Sequence, residues 1–548
     1  MATPKKYEDI ISRNSLISSG PPAVYQLRTK EEKTETLTRK TVGEKNLNKT
    51  NKTILLVGET GTGKSAMINT LLNYTMGVTF EENIWFEIIE EDKKRRCQTE
   101  SQTSDVIVYQ IFGYEDKTLS FSLTVIDTPG YGDTRGIERD VIIRQRLFDL
   151  FRSEDGVHEI DAVGLVVKSS LNRVSDRLKY IFDSVTSLFG KDIEKNIVAL
   201  MTHSNGVTPK NALKALKAAN IKCAIDEKNQ LVHFLFDNCQ TTQRTEEDEF
   251  ALGNAWRVTE RGMKRFTDFL EKSKPQKLKT TVEVLKARIR ITACIHNLQE
   301  RIQLIEGKQN EIQQTQKALE KHEQEMKNNE EFIVEVDEPY KVREEIDAWW
   351  DNKAVTCNIC EENCHYPGCT WAWSPKSCEV MEKKDGKVCC TSCTGGCPAS
   401  DHVKENWRYV TKTKKVKKTL KDVKQKYEKN KAECEKEMSL MENQQTEMEK
   451  LKAEKTKLLD EAYQHVLILE QIALNVNSMS THVHLDFLIE KMKERRDTGK
   501  VQKLEEMKRR EDERIVSETL WYMFGKLTAA GTAVKKFSEA AEQHQTAV

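Results

Sequence analysis

The sequence predicts an α/β domain with a mainly parallel sheet and helices on both faces, followed by all-α coiled-coil arms with a small cysteine-rich module. Three observations lead to this prediction. Short β-branched apolar runs alternate with amphipathic stretches in the first half of the 548-residue chain, a pattern typical of strands connected by helices. Apolar residues then recur at heptad spacing in two segments. Between those segments, nine of the 14 cysteines lie within residues 357–397.

Charge and hydropathy exclude several classes of protein. The chain has 87 Lys and Arg against 87 Asp and Glu, and this zero net charge gives no global electrostatic reason to bind nucleic acid. No apolar run approaches the ~18 residues that span a bilayer, and the N-terminus lacks the apolar region of a secretory signal. We therefore expect no transmembrane segment and a cytoplasmic location, where cysteines serve as thiols or metal ligands rather than disulfides.

Changes in composition divide the chain into six segments. Residues 1–50 are polar and lysine-rich and are predicted to be a mobile leader, and residues 51–272 hold the α/β domain. Its predicted strands are Ile54–Val57, Val106–Phe112, Phe121–Ile126, Ala162–Val167, Ile197–Met201 and Val232–Phe236. The remaining segments are a first coiled-coil arm (276–350), the cysteine-rich module (351–403), a second arm (404–472) and a C-terminal helical segment (473–548).

Each arm carries a heptad seam with gaps. The first seam consists of Ile291, Ile295, Leu298, Ile302, Ile305, Ile312, Leu319 and Met326. The second consists of Val416, Leu420, Val423, Tyr427, Cys434, Met441, Met448, Leu451, Leu458 and Ala462. We favour an antiparallel hairpin with the module at its tip, because the two seams then pair without a second chain. Parallel dimerisation of each arm is the alternative. The lysines between 412 and 426 fit a solvated helix face. The alternative is that they contact an anionic lipid or RNA.

The strongest local motif is a glycine-rich loop between the first apolar strand and an amphipathic helix. It has the pattern G-x-x-x-x-G-K-S, in the strand–loop–helix context in which this pattern binds phosphate. Glycines allow successive backbone N–H groups to converge on phosphate oxygens, and the helix N-terminus adds positive potential. Lys64 supplies a charge for the β and γ phosphates, and Ser65 a hydroxyl ligand for Mg²⁺. The predicted phosphate-contacting residues are Gly58, Glu59, Thr60, Gly61, Thr62, Gly63, Lys64, Ser65 and Ala66.

A second motif, Asp-Thr-Pro-Gly at residues 127–130, follows another apolar strand. Asp127 is placed to hold Mg²⁺ through water, and the Gly130 N–H to meet the γ-phosphate. Turns often contain these residue types, so the motif alone is moderate support. Its position at a strand end, about 65 residues after the glycine-rich loop, makes the combination specific for a nucleoside triphosphate and its metal.

These two motifs resemble the septin-like branch of P-loop GTPases, most of all the GIMAP (immune-associated nucleotide-binding) family and then the septins, over residues 53–270 only. The resemblance implies a P-loop G domain that binds GTP or GDP with Mg²⁺, hydrolyses GTP slowly and forms homo-oligomers through G domains. It also implies that Thr103 is the switch threonine that reaches Mg²⁺ and the γ-phosphate, with Thr99 as the alternative. Lys64 and Thr103 are the predicted catalytic residues.

The same resemblance implies where the guanine base would bind. Thr202 and His203 match the Thr-His pair that follows a strand in the GIMAP family, and Asn238 matches a strand-end asparagine that contacts the base. The acidic residue that accepts hydrogen bonds from guanine is absent, and Asn205 or Gly206 occupies its place. An amide can also donate, so discrimination for guanine would be weaker. A polar loop residue and a base-stacking role are equally good interpretations of His203.

The cysteine-rich module has the spacing of a metal site. Short Cys-x2-4-Cys pairs bring thiolates to one Zn²⁺ at ~2.3 Å in tetrahedral geometry. The predicted zinc ligands are Cys357, Cys360, Cys364, Cys369, Cys389, Cys390, Cys393, Cys397 and His402. With His365 and Cys378, these candidates suffice for two four-coordinate zinc ions, and the spacing leaves their pairing open. A disulfide knot and a redox loop are the alternatives.

Together these observations predict a GTP-binding switch or assembly scaffold with slow Mg²⁺-dependent hydrolysis and unidentified protein partners. One rival is a nucleotide-independent coiled-coil and zinc scaffold with a degenerate G domain, which the missing acid after His203 suggests. A second rival is an ATP-driven arm protein resembling zinc-hook ATPases. That class requires a second ATPase half, for which the last 80 residues carry no signature motif.

Overall fold

The structure analysed is a computed structural model, and it falls into two compact units. The first unit comprises Met1–Leu285, Ile472–His482 and Met507–Val548, and the second comprises Lys286–Gln471 and Val483–Glu506. The structure describes residues 5–33, 37–89, 106–115, 117–128, 138–321, 333–346, 353–366, 374–384, 386–419, 440–475 and 479–512.

The first unit contains thirteen strands and six helices among its described residues up to Lys277. The strands are β1 (Ser15–Ser18), β2 (Ala23–Gln26), β3 (Lys30–Lys33), β4 (Thr38–Val42), β5 (Asn51–Gly58), β6 (Ile84–Glu87), β7 (Ile107–Ile111), β8 (Ser122–Asp127), β9 (Glu159–Ile160), β10 (Ala162–Lys168), β11 (Ile197–Thr202), β12 (His233–Leu235) and β13 (Gln276–Lys277). The helices are α1 (Glu8–Ser12), α2 (Lys64–Met76), α3 (Glu138–Arg152), α4 (Asp176–Thr186), α5 (Lys210–Ala218) and α6 (Glu249–Lys272).

An eight-stranded sheet with the order β12-β11-β10-β5-β8-β7-β4-β3 forms the centre of this unit. All six strands predicted from the apolar runs belong to it. The pairings from β12 to β8 are parallel, and β8 with β7 and β4 with β3 are antiparallel. The predicted mainly parallel sheet is confirmed. The carboxyl ends of β5, β8, β11 and β12 consequently meet at one edge, where parallel α/β sheets bind ligands.

Helices cover both faces of the sheet, as the continuously buried strands require. Ile54 and Leu56 of β5 belong to an apolar core that also contains residues of α2 and α6. Leu55 and Val57 alternate with them and are equally buried, and α4 packs against the same strand. Because alternate residues of a strand point to opposite faces, burial of the whole run means that both faces are covered.

The described part of residues 5–50 is ordered structure, which corrects the prediction of a mobile leader. β3 and β4 extend the central sheet at its edge, and β2 pairs in parallel with β6. Tyr7 is completely buried and packs edge-to-face on Phe86, with ring centroids 5.4 Å apart. Polar edge strands with one exposed side lack a continuous apolar run, so composition alone did not reveal them.

The second unit combines long helices with small sheets. Its described elements are α7 (Lys279–Lys321, which begins in the first unit), β14 (Ile333–Glu345), β15 (Ala354–Cys357), β16 (Glu362–His365), β17 (Met381–Lys384), β18 (Lys387–Cys390), β19 (His402–Glu405), β20 (Trp407–Thr419), α8 (Leu440–Ile472), α9 (Met479–Glu494, which begins in the first unit) and α10 (Thr498–Asp512, which ends in the first unit).

The predicted helical arms are present as α7 and α8, which run antiparallel. Arg301 pairs with Glu454, and Lys308 with Glu447 at 3.9 Å, so residues further along one helix contact residues earlier on the other. The seam positions of α7 from Ile291 to Ile312 are buried, as are Leu451 and Leu458 of α8. The seam residues Met326, Leu420, Val423, Tyr427 and Cys434 lie outside the described residues.

The helical arms are shorter than predicted, because a β-ribbon replaces helix next to the cysteine-rich module. All 13 residues of β14 pair with β20 in an antiparallel ladder, from Ile333↔Thr419 to Glu345↔Trp407. The lysines of residues 412–418 therefore lie on a strand and not on a helix face. Several pair across the ladder, including Lys414 and Lys418 with Glu338 at 3.3 and 2.7 Å. The β-branched residues of β20, which are Val410, Thr411, Thr413, Val416 and Thr419, favour a strand over a helix.

None of the helices among the described residues has a segment long and apolar enough to cross a lipid bilayer.

Candidate functional site

The glycine-rich loop connects the end of β5 at Gly58 to the start of α2 at Lys64. Gly63 has φ +93°, a left-handed conformation in which residues with a side chain are strained. The loop is braced internally, because Thr62 Oγ1 donates to the Glu59 carbonyl at 2.7 Å and its backbone N–H donates to the same oxygen at 3.2 Å. The predicted loop residues thus form a preorganised turn at a helix N-terminus, which is an anion-binding geometry.

Lys64 is buried and its ammonium group is held over the loop. Its Nζ donates to the carbonyl oxygens of Gly58 at 2.7 Å and Glu59 at 3.3 Å. Burial lowers the pKa of this ammonium, and the nearby carboxylates of Asp127 and Glu59 act in the opposite direction. A buried cation is costly without anionic partners. A bound phosphate would add to the negative charge that Asp127 and Glu59 provide.

Asp127 lies at the carboxyl end of β8, in register with Leu56 on the neighbouring β5. Asp127 is 1% exposed, and its negative charge acts to raise the pKa of the Lys64 ammonium group. The adjacent Thr128 donates from Oγ1 to the Leu56 carbonyl at 3.0 Å, which fixes the strand end. Lys64, Ser65 and Asp127 therefore meet at the same sheet edge, as the two motifs predicted for a metal-bound triphosphate.

Thr202, at the end of β11, is tied to the glycine-rich loop. Its Oγ1 donates to the Thr62 carbonyl at 2.7 Å, and it is 1% exposed. His203 follows in a left-handed conformation with φ +52°, and its Nδ1 lies 3.2 Å from Thr202 Oγ1. The family resemblance implied a base contact for this pair, which stays a prediction, and sequence reasoning missed the hydrogen bond from Thr202 to the phosphate loop.

Asn238 also lies at this sheet edge, just after β12. Its Oδ1 accepts a hydrogen bond from Thr70 of α2 at 3.4 Å, while its Nδ2 is buried without a hydrogen-bond partner among the described residues. Such a donor is suited to a carbonyl oxygen of a ligand. Asn205 is exposed, and its Oδ1 accepts from the Val207 N–H at 3.1 Å. Thr103 and Gly130 lie outside the described residues, so their predicted roles stay predictions.

Replacing Thr202 with valine tests the contact between β11 and the phosphate loop. We expect a loss of about 1–2 kcal/mol in the free energy of unfolding, because the Thr62 carbonyl loses its buried donor. Nucleotide affinity should also fall severalfold as the loop loosens. Chemical denaturation and nucleotide titration measure the two effects. The exposed Thr208, changed to valine, is the matched control, and equal behaviour of the two variants would contradict the bracing role.

In the second unit, the described part of the cysteine-rich module brings seven of its side chains into two candidate metal groups of four ligands. One group consists of Cys357, Cys360, Cys393 and Cys397, and another of Cys364, Cys390, Cys393 and His402. Within each group all ligand atoms lie within 4.8 Å of one another. Six of the cysteines pack with Val355, Val380, Met381 and Ala293 of α7 in a small core. This arrangement is what a segment with few apolar residues requires when a metal holds it together.

Two residues of the second group, His402 and Cys390, have features of metal ligands. His402 Nδ1 donates to the Pro398 carbonyl at 2.8 Å, and its Nε2 is buried without a hydrogen-bond partner among the described residues. A carbonyl fixes the imidazole tautomer in this way, and the other nitrogen keeps a free lone pair for a metal. Thiol hydrogen bonds from Cys364 and Cys393, with backbone N–H groups of Ser392 and Cys393, lower the pKa of Cys390 to about 4.

Seven of the nine predicted zinc ligands belong to the two four-ligand groups. Cys389 is described and belongs to neither four-ligand group, and Cys369 lies outside the described residues. A third, three-ligand group contains His365, Cys378 and Glu379, with His365 Nδ1 3.2 Å from both Cys378 Sγ and Glu379 Oε2. Glu379 was missed, because a single glutamate in a charged chain carries no distinctive spacing.

A buried carboxylate that sequence reasoning also missed anchors the module to α7. Glu362 is 6% exposed, pairs with Arg301 at 2.8 Å and accepts two hydrogen bonds from Thr394. Thr394 lies between Cys393 and Cys397, so this ion pair fixes the turn that carries two candidate ligands. Arg301 and Glu362 are 61 positions apart in the chain, so no local sequence pattern predicts this contact.

Comparison with known proteins assigns the first of these sites to a family. Residues 52–251 match the AIG1 family, a range that contains the glycine-rich loop, Asp127, the Thr202–His203 pair and Asn238. Translocase of chloroplast 34 homolog from Chlamydomonas reinhardtii is 28% identical over 153 residues, which are 28% of this chain and 34% of the relative. GTP-binding protein A from Dictyostelium discoideum is 26% identical over 156 residues, 28% of this chain and 29% of the relative. The chain thus spans about a third of the length of these curated relatives.

Two solved structures are also similar to part of the chain. Toc33 from Arabidopsis thaliana in complex with GDP and Mg²⁺ is 19% identical with a TM-score of 0.28, covering 42% of this chain and 88% of Toc33. A structure of the chloroplast translocon components atToc33 and psToc159, for whose GTPase activity dimerization is important, is 20% identical with a TM-score of 0.27. It covers 41% of this chain, and the match includes 86% of that chain.

Proposed function

Because residues 52–251 form a G domain of the AIG1 family, a P-loop GTPase family, we propose that this chain is a Mg²⁺-dependent GTP-binding switch or assembly scaffold. One observation carries the proposal: Lys64, at the start of the helix that follows β5, and Asp127, at the end of the adjacent parallel strand β8, interact beside a preorganised phosphate loop. That combination matches the needs of a triphosphate and its metal ion.

Each residue of the site has a role in this proposal. The loop N–H groups and Lys64 would bind the β and γ phosphates, and Ser65 and Asp127 would hold Mg²⁺. When bound, Mg²⁺ neutralises charge on the phosphates. Thr103 and Gly130 are proposed to contact Mg²⁺ and the γ-phosphate, so their segments would respond to the nucleotide state. The buried Asn238 amide supports a contact to a carbonyl oxygen of the base.

We propose slow intrinsic GTP hydrolysis that increases when two G domains associate. The sequence has no glutamine directly after Gly130 to orient water, and positioning of water and charge accounts for most of the catalysis in this reaction. The single-turnover rate is therefore expected to rise with protein concentration. Measurements over a hundredfold range of concentration, with buffer-only and Lys64→Ala controls, test this. A rate independent of concentration would remove the dimerisation step from the proposal.

Asn205 offers a test of base recognition. A carboxylate at this position would accept hydrogen bonds from the guanine N1–H and N2–H, which an amide does less well. We expect Asn205→Asp to increase the preference for GTP over ATP by about tenfold, the equivalent of about 1.4 kcal/mol. Competition binding with both nucleotides measures it. The exposed Asn229 precedes β12 at the opposite sheet edge, and its change to aspartate should leave the preference unchanged. If Asn205→Asp left the preference for GTP over ATP unchanged, residues other than Asn205 would determine base recognition.

We further propose that the cysteine-rich module binds structural zinc. The closed four-ligand groups, the free Nε2 of His402 and the backbone N–H donors to sulfur support it. Closed sets of Cys and His ligands are typical of structural rather than catalytic zinc. Thiolate ligands require a reducing compartment such as the cytoplasm. When bound, zinc would hold β15, β16 and β18 in one small core.

The alternative function is a scaffold that uses the arms and the zinc module without nucleotide. The missing acid after His203 favours it, whereas the intact phosphate loop favours nucleotide binding. Competition of GTP against ATP separates these functions, because the scaffold binds neither nucleotide and an ATP-driven arm protein prefers ATP.

A further inference from the structure

The two four-ligand groups of the module share one atom, the Sγ of Cys393. Cys357, Cys360 and Cys397 form one group with it, and Cys364, Cys390 and His402 form the other. Seven side chains therefore provide two complete sets of four ligands. Tetrahedral zinc with Zn–S bonds of ~2.3 Å places its sulfurs roughly 3.8 Å apart. The Sγ atoms of Cys360 and Cys397 lie 3.5 Å apart, so the first group has the dimensions of a single site.

We propose that the module binds two Zn²⁺ ions bridged by the Cys393 thiolate. This inference rests on the proposed zinc function and specifies its stoichiometry and connectivity. The first ion is held by Cys357, Cys360, Cys397 and the shared sulfur. The second is held by Cys364, Cys390, the Nε2 of His402 and the same sulfur.

Burial favours the bridge over two separate sites. Without it, Cys364, Cys390 and His402 would form a three-ligand site whose fourth position needs water. These three residues are 0%, 3% and 4% exposed. Solvent water therefore has little access to the fourth position, and a protein ligand is favoured there. The sulfur of Cys393 already lies within 4.8 Å of all three donor atoms. The bridge therefore completes both sites with ligands that are in place.

The charge of the cluster also fits a shared thiolate. Six thiolates and two zinc ions carry a net charge of about −2, and an eighth, thiolate ligand would make it more negative. Backbone N–H groups compensate this charge: those of Cys360 and Gly395 donate to Cys357 and Cys360 at 3.4 and 3.3 Å. The N–H of Cys397 donates to the bridging Cys393 sulfur at 3.3 Å. Such donors stabilise metal-bound sulfur.

Because Gly395 has no side chain, the turn after Cys393 can pass close to two ligands of the first site, Cys360 and Cys397. A Cβ atom at this position would lie 2.8 Å from Cys397 Sγ and 3.1 Å from Cys360 Sγ. The absence of a side chain lets the backbone pass next to these two sulfurs and donate to one of them. The turn is therefore shaped around the ligand atoms.

Metal counting on the full-length chain, purified under reducing conditions, tests the bridge. The Cys378→Ser variant, which removes a ligand of the separate His365 group, is expected to contain two zinc ions per chain. Adding Cys393→Ser should weaken both sites together and reduce the content to below one, because both ions lose the same ligand. Adding Cys389→Ser instead is the matched control, and it should leave two, because Cys389 belongs to neither group.

Cadmium NMR of the metal-exchanged wild-type chain gives a second readout that does not depend on these variants folding. Two cadmium ions that share a sulfur show mutual scalar coupling, and we expect two such coupled resonances. One ion in the two groups, or two uncoupled resonances from them, would overturn the bridge and leave the zinc function standing. A chain without zinc that also fails to take up cadmium would refute both.

Discussion

Replacing Lys64 with alanine is expected to reduce the affinity for guanine nucleotides by about 10- to 100-fold or more. A hydrogen bond to a charged group contributes about 1.5–3 kcal/mol, and Lys64 is the buried cation of the phosphate loop. The variant removes a positive charge that burial already disfavours, so the fold should tolerate it. Titration with a fluorescent GTP analogue measures the loss.

The exposed Lys214 of α5, changed to alanine, is the control for the removal of a lysine in the same unit. Its affinity should equal that of the unchanged chain. If Lys64→Ala retained full affinity while remaining folded, the phosphate loop would not be the nucleotide site.

Removing zinc is expected to unfold the cysteine-rich module and leave the G domain intact. Structural zinc supplies on the order of 10 kcal/mol to small domains, and the core here consists largely of its own ligand cysteines. Hydrogen exchange after chelation should therefore become fast throughout residues 353–366 and 386–406. Added zinc should restore the protection.

Peptides from β5, β10 and β11 serve as the internal control, because their strands are buried in a separate core of the first unit. Their protection should not change with the chelator. If the module kept its protection at zero zinc content, packing rather than metal would hold it together.

The central sheet was predictable from sequence, because its parallel strands are buried on both faces and appear as continuous apolar runs. The loop ending in Lys64 and the strand end at Asp127 were predictable because each carries a short motif next to an apolar strand and the two motifs have a typical spacing. The edge strands β3 and β4 were not, since their residues are largely polar, and those of β3 are exposed throughout. Their place in the sheet depends on the pairing of β4 with β7 and of β3 with β4, contacts that local composition does not encode.

The helical arms were predicted correctly in kind and too long in extent. The residues of β14 and β20 are as charged as those of the helices, and their lysines and glutamates suit a solvated helix equally well. The deciding interactions are cross-strand, such as Lys418 with Glu338 at 2.7 Å. Most residues of the candidate metal groups were predictable as a set, because short cysteine spacings identify them. Their grouping, with Cys393 shared and Cys389 left out, depends on three-dimensional packing.

One binding measurement tests the central claim most directly. The full-length chain is mixed with labelled GTP and Mg²⁺, and GTP, GDP and ATP compete in parallel. We predict displacement by GTP and GDP at micromolar concentrations and much weaker displacement by ATP. No uptake of guanine nucleotide at up to millimolar concentration would contradict the account and leave a scaffold of helices and metal.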